Sequence, residues 1–319
     1  MKKFHKAGAA RLFLSVTLFL TACGSSGASS DTTLVVETTI TETTVAEDTY
    51  PVTVGDLTLD AQPVRIVSLS PTATEMLYAI GAGTQVVAVD EFSNFPLEAV
   101  ALGTALSGYE PNIESISTFE PDLVIASYDP GGLVEQLKSL GIPVFINDAA
   151  TSLDNTYEQI EQLGVLTGHT AQAVQLSSQI RFEIETAVTS IDVPTQLSYY
   201  YELDNTYYSV TSNTFIGQVF GLFGLRNIAD SAETGNNYPQ LSAEAIVSSN
   251  PDLIFLADTK ISHESIATVG ARAGWSDMKA VTSGNVVELD DDIASRWGPR
   301  IIELVKAILA AISKALVNS

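Results

Sequence analysis

The side chains of this chain that could do chemistry stand in turns, and their types suit holding a ligand. Phe92, Tyr109 and Tyr128 flank strand-like segments in the first half, and Tyr207 and Tyr238 do so in the second. Arg296 and Trp297 precede the last helical stretch. Aromatic rings offer large, rigid contact area, tyrosine adds a hydroxyl, and arginine adds charge with fixed donors. For each aromatic, packing into a core accounts for it equally well. Arg296 and Trp297 are better candidates, because Asp290-Asp291-Asp292 precedes them and Gly298-Pro299 turns the chain after them. The alternative for Arg296 is that it merely pairs with one of those aspartates. Catalytic signatures are missing: the chain has no Gly-x-Ser-x-Gly elbow, Walker loop or His-Glu-x-x-His. Gly81-Ala-Gly83 follows a helical stretch rather than a strand and reads as a helix stop. His169 and His263 are isolated in polar segments, too few for a zinc or manganese site. Neither an enzyme nor a resident cofactor nor a bare-metal site is expected.

The elements that must position these residues form an α/β pattern. Pro51–Leu59 reads as a hairpin around Gly55-Asp56. Apolar strands follow at 65–69, 86–89, 122–126 and 143–146, separated by helical stretches. The helix after the first of these opens at Ser70-Pro71 or at the capping box Thr72–Glu75. Short apolar strands alternating with helices imply a parallel sheet covered on both faces. Two helices are expected at 152–167 and 170–191, on either side of Gly168. The alternation then resumes: strands at 197–203, 208–211, 252–256 and 286–289, helices at 214–224 and 243–248, and a last helix at 299–317. The expected organisation is an N-terminal lobe at 50–151, interlobe helices at 152–192 and a C-terminal lobe at 193–319.

The halves repeat a phrase. Residues 112–126 and 242–256 align at a constant offset of 130, matching Glu114 with Glu244, Ile116 with Ile246, and Pro121-Asp122-Leu123 with Pro251-Asp252-Leu253. The Pro-Asp pair alone would reflect a frequent α/β connection. Five matches in register favour two related lobes, with a ligand cleft beyond the carboxyl ends of their strands.

The N-terminus carries Lys2, Lys3, Lys6 and Arg11, then the apolar run 12–20, then Leu20-Thr21-Ala22-Cys23. This is a secretory signal peptide over 1–22 rather than a membrane span. Cys23 is the only cysteine and stands at the cleavage point, an arrangement similar to the lipobox of bacterial lipoproteins. There the thiol takes a lipid, and diacylation is enough for stable anchoring. Residues 24–49 are rich in Ser, Thr, Ala and Glu and read as a flexible tether within the segment 23–49. Its root-mean-square reach is about 30 Å. The net charge is −23, and near −27 without the signal peptide. Such a surface disfavours nucleic acid.

Together these features resemble the helical-backbone substrate-binding proteins of ABC importers that take up metal chelates: cobalamin, ferric siderophores or haem. The resemblance runs from about Val52 to Val317. It rests on Arg65-Ile-Val-Ser-Leu-Ser-Pro-Thr-Ala-Thr-Glu75, Gly108-Tyr-Glu-Pro-Asn-Ile-Glu114, Tyr238-Pro-Gln-Leu-Ser-Ala-Glu244 and Ser295-Arg-Trp-Gly-Pro-Arg-Ile301. The cobalamin-binding branch is nearest, although it often carries tryptophan where this chain has Tyr238 and Ile293.

The resemblance implies two Rossmann-like lobes joined by a single long rigid helix, here 170–191. The ligand cleft would lie between them, lined by Phe92, Tyr109, Tyr128, Tyr207, Tyr238, Arg296 and Trp297. It implies docking on a permease dimer through Glu114 and Glu244, one glutamate per lobe. It also implies a monomer, tethered through lipid on Cys23 to the outer face of the cell membrane, which is the periplasmic side where an outer membrane exists. The alternatives are a structural or adhesive surface lipoprotein and a bare metal-ion binder.

Overall fold

The computed structural model describes residues 49–193, 196–232 and 235–317. All of these belong to one compact unit, Val45–Ser319. The expected signal peptide, Cys23 and the tether as far as residue 48 lie outside the described residues. No helix among the described residues is long and apolar enough to cross a membrane.

The first lobe opens with an antiparallel hairpin, β1 (Val52–Val54) and β2 (Leu57–Leu59). Its sheet contains β3 (Ile66–Leu69), β4 (Val86–Val89), β5 (Leu123–Ala126) and β6 (Val144–Ile146). All pairings are parallel and the order is β4-β3-β5-β6. Connecting helices are α1 (Pro71–Ala79), α2 (Leu97–Val100), α3 (Ile113–Ser117) and α4 (Leu133–Ser139). Ser70, not Thr72, caps α1: its side chain accepts from the Ala73 N–H, and Pro71 takes the first helical position. Two long helices then carry the chain out of this lobe: α5 (Leu153–Thr167) and α6 (Thr170–Thr189). Gly168 at φ 74° ends α5 in a left-handed cap that a side chain would strain. The 20 residues of α6 span about 30 Å at 1.5 Å per residue.

The second lobe holds β7 (Ser198–Glu202), β8 (Arg226–Asn227), β9 (Leu253–Leu256) and β10 (Val286–Glu288), with α7 (Phe215–Gly221), α8 (Ala243–Ser249), α9 (Ile266–Gly270), α10 (Lys279–Thr282), α11 (Asp291–Ser295) and α12 (Ile301–Val317). The sheet is again all parallel, in the order β8-β7-β9-β10. Both sheets thus run second-first-third-fourth in chain order. The expected strand at 208–211 is a correction. The N–H groups of Ser209 and Thr211 bond to the carbonyls of Pro239 and Asn237, so this segment pairs with a loop, and β8 takes the sheet position. The last helix begins at Ile301 rather than Pro299.

The repeated phrase is a repeated structure. Residues 111–127 and 241–257 share one burial pattern, position by position. Asn112 and Ser242 cap equivalent helices, and Glu120 and Asn250 both sit at positive φ, 47° and 43°. Asp122 accepts from the N–H of Val64 and Arg65 ahead of β3, and Asp252 accepts from the Ser198 N–H at the start of β7. Each aspartate therefore ties the third strand of its sheet to the first.

Strand alternation divides the core. Val67, Leu69, Val124 and Ala126 face the outer helices α3 and α4, whereas Ile66, Leu123 and Ile125 face inward. The inward cluster continues through Ile160 of α5 and Ile180 of α6 to Tyr199, Leu253 and Ile308. The buried residues of α12 recur at the spacing of one helical face: Ile301, Leu304, Val305, Ile308 and Ile312. One continuous core thus links both sheets through the α5–α6 pair, a construction that resists bending between the lobes.

Candidate functional site

In the first sheet β4 lies outside β3 while β5 joins on the other side, so the chain reverses direction between β3 and β5. Crevices open at such switch points, beyond the strand carboxyl ends. Here Leu69 ends β3, Asp90 follows β4 and Ser127 follows β5, and all three line a cleft of ≈ 410 Å³. Gly108 also lines it. A side chain there would come within 2.9 Å of the Leu69 carbonyl oxygen and 3.3 Å of Asp90 Oδ2, so only glycine lets this loop approach.

Aromatic rings from this lobe form one wall. Phe92 meets Tyr109 edge-on, with centroids 5.7 Å apart at 81°, and Tyr109 meets Tyr128 at 6.5 Å and 50°. All three residues keep part of their surface open, Tyr109 the most at 66% exposed. The Tyr128 hydroxyl donates to the Tyr109 carbonyl at 3.3 Å. Rings that touch one another and still face outward form a preorganised apolar surface. The facing wall comes from the second lobe: Ile261, Asp291, Asp292, Arg296 and Trp297. Asp290 caps α11 by accepting from the Asp292 N–H, which fixes the corner that carries Arg296 and Trp297.

Arg296 is buried and engaged by protein on both terminal nitrogens. Nη1 donates to Glu75 Oε1 at 2.7 Å and Asn94 Oδ1 at 3.0 Å. Nη2 donates to the Phe92 carbonyl at 2.9 Å and Asp292 Oδ1 at 2.7 Å. The structure therefore places it in the pairing role that the sequence left open. Trp297 donates its indole N–H to Gln159 Oε1 at 3.0 Å, anchoring the corner to α5.

Five of the seven predicted ligand residues thus meet at one cleft: Phe92, Tyr109, Tyr128, Arg296 and Trp297. Tyr207 and Tyr238 are not among its lining residues. Tyr207 stacks on Trp275 at 5.8 Å and 28°, with the Arg272 guanidinium 5.3 Å from its ring centre. Tyr238 is 55% exposed on the loop that pairs with residues 207–211. Sequence reasoning missed Glu75 as the buried acid that Arg296 and Arg300 share. The signal was a lone acid in the apolar stretch Glu75-Met76-Leu77, which a buried helix tolerates only with a partner. Glu114 and Glu244 stand exposed in the first turns of α3 and α8, at matched positions of the repeat.

The electrostatics of the cleft are acidic. Burial raises the Asp90 carboxyl above its ordinary range, against the hydrogen bond from Ser93 and the charge of Arg296. Burial acts on Asp292 in the same direction, but the Lys260 ammonium, the Arg296 charge and Asn94 outweigh it and hold this carboxyl low. Asp291 accepts from the main-chain N–H groups of Lys260 and Ile261.

The family model described as periplasmic binding protein matches residues 66–293. A cobalamin-binding protein of Halobacterium salinarum is 33% identical, over 80% of this chain and 72% of its own length. An uncharacterised ABC transporter substrate-binding lipoprotein of Bacillus subtilis is 29% identical over 98% of both chains. The crystal structure of the periplasmic vitamin B12 binding protein of Vibrio cholerae superposes with a TM-score of 0.67 and 28% identity, covering 80% of this chain and 98% of that one. With its paired parallel sheets and the cleft at their switch point, the chain belongs to the periplasmic binding protein family.

Proposed function

We propose that this protein captures a metal chelate of the cobalamin kind outside the cytoplasm and hands it, chemically unchanged, to an ABC importer. The observation that carries this reading is the cleft: three touching, outward-facing rings of one lobe opposite an anchored Arg-Trp corner of the other. Broad rings match the faces of a corrin or porphyrin, and the chain's relatives include cobalamin-binding proteins. The rigid α5–α6 connection keeps closure small. Glu114 and Glu244 serve as the two permease contacts: equivalent carboxylates on quasi-symmetric lobes can meet a two-fold partner with equal contacts. Lipid on Cys23 keeps the monomeric protein at the outer face of the cell membrane.

The test is direct. Protein purified from its native host is examined by mass spectrometry for a retained small molecule, and tryptophan fluorescence is followed as cobalamin is added. A co-purifying chelate, or quenching at low micromolar ligand, supports the reading. Protein that carries nothing and responds to no cobalamin, haem or ferric siderophore overturns it.

A further inference from the structure

We propose that the cleft selects against negative charge: it takes chelates that are uncharged or cationic and rejects anionic ones. This rests on the reading that the cleft is where the chelate binds, and it narrows the class of chelate.

Asp90, Asp291 and Asp292 line the cleft against one cation, Arg296. That cation has nothing left to offer an incoming carboxylate or catecholate from its terminal nitrogens. Both already serve Glu75, Asn94, Asp292 and the Phe92 carbonyl. Lys260 stands nearby, but its ammonium bonds Asp290 at 2.8 Å and Asp292 at 2.7 Å. No unpaired cation lines the cleft among the described residues. An anionic ligand would have to pull Arg296 from a buried carboxylate to gain one contact, which leaves that carboxylate uncompensated. Lining acids with low-dielectric walls also focus a negative potential into the opening, and the chain's net charge of −23 adds to it.

What the cleft does offer is acceptors and ring faces. Asp90 lines the cleft as a buried carboxylate that takes a side-chain hydrogen bond from Ser93, and the less buried Asp292 lines it as well. Open tyrosine rings attract cations and the positive edges of amide groups. A ligand with peripheral amides, or one with an ammonium group, gains from both. Discrimination by like-charge juxtaposition needs no extra contact to the right ligand.

The experiment titrates the purified mature protein with cyanocobalamin, a cationic ferric trihydroxamate, haemin and a trianionic ferric tricatecholate, by calorimetry. The expected result is that the best uncharged or cationic chelate binds at least tenfold more tightly than either anion. Asp90→Asn should narrow that gap, and so should raising the salt from about 0.05 M to about 0.5 M, where screening shortens to a few ångströms. The salt series needs no variant to fold. An anion that binds as tightly as the best of the others overturns the charge selectivity while leaving chelate capture intact. Failure of all four to bind removes chelate capture and this proposal with it.

Discussion

Glu75 and Arg300 meet across the seam between the lobes: Oε2 accepts from Nε at 2.9 Å and Oε1 from Nη2 at 2.6 Å. Oε1 also accepts from Arg296, so one buried carboxylate holds two guanidinium groups of the far lobe. The Glu75 side chain is 1% exposed. Glu75→Gln removes the counter-charge that Arg296 and Arg300 share, leaving Arg296 with Asp292 as its ion-pair partner. Breaking a buried pair this way costs about 3–5 kcal/mol. For a domain of this size the melting temperature should fall by roughly 10 °C. Circular dichroism melts check it, and an unchanged midpoint would show that the triad contributes nothing to holding the lobes together.

Charge reversal at the docking pair separates transport from binding. Glu114→Lys with Glu244→Lys should abolish uptake in whole cells while the chelate Kd of the purified protein stays within about twofold, because neither residue lines the cleft. Each single variant should retain part of the uptake. Full transport by the double variant would eliminate these carboxylates as the permease contact.

The sequence made the sheets legible because buried parallel strands are short apolar runs with few other interpretations, as at Ile66–Leu69 and Leu253–Leu256. The repeat was legible because its Pro-Asp pairs hold backbone positions: Asp122 and Asp252 secure strand starts, and Pro121 and Pro251 follow left-handed residues. Three features escaped. β8 is only two residues long and carries no apolar signature, while the apolar alternation at Tyr208–Thr211 imitates a strand and pairs with a loop. The short helices α9, α10 and α11 bury few residues, so they leave no periodicity to read. The third is the contact of Arg296 with Glu75, 221 residues away in the chain: its pairing with Asp292 was legible, but a lone acid in an apolar helix signals only that some partner exists, and no local pattern says which.

Asp258 gives the second lobe a pH signature. It follows β9 and is buried. Burial raises its carboxyl most and the charge of Glu202 raises it further, against Ser262 and Arg272, leaving it at about 6. An unfolded aspartate titrates at about 3.9. Between these values the folded protein keeps a proton that the unfolded chain has lost, so this group's contribution to stability falls as pH rises from about 4 to about 6 and is fully lost above that. Asp252, Asp290 and Asp292 are held low and act in the opposite sense, so the informative quantity is a difference between two proteins. Asp258→Asn and the unmodified protein should melt alike near pH 4, with the variant melting higher at pH 7. Calorimetric scans across that range decide it, and a gap that does not grow with pH would refute the assignment.

Tyr109 is the central ring of the aromatic wall, touching Phe92 on one side and Tyr128 on the other. Truncating it removes its own contact area and leaves two neighbours without the ring that orients them. Tyr109→Ala should therefore weaken chelate binding by about ten- to a hundredfold, the range of a central anchor residue. Because Tyr109 is 66% exposed, its loss should leave the melting temperature within a degree or two. Tyr238→Ala supplies the contrast: a tyrosine of similar exposure, 55%, that does not line the cleft. Its Kd should stay within about twofold of the unmodified protein. Measuring both variants by the same fluorescence titration tests location rather than residue type. Equal losses would mean that the ligand reaches over to the second lobe's loop, and the cleft wall alone would no longer account for binding. A normal Kd for Tyr109→Ala would move the ligand away from this wall altogether, since among the described residues no other ring touches both of its neighbours.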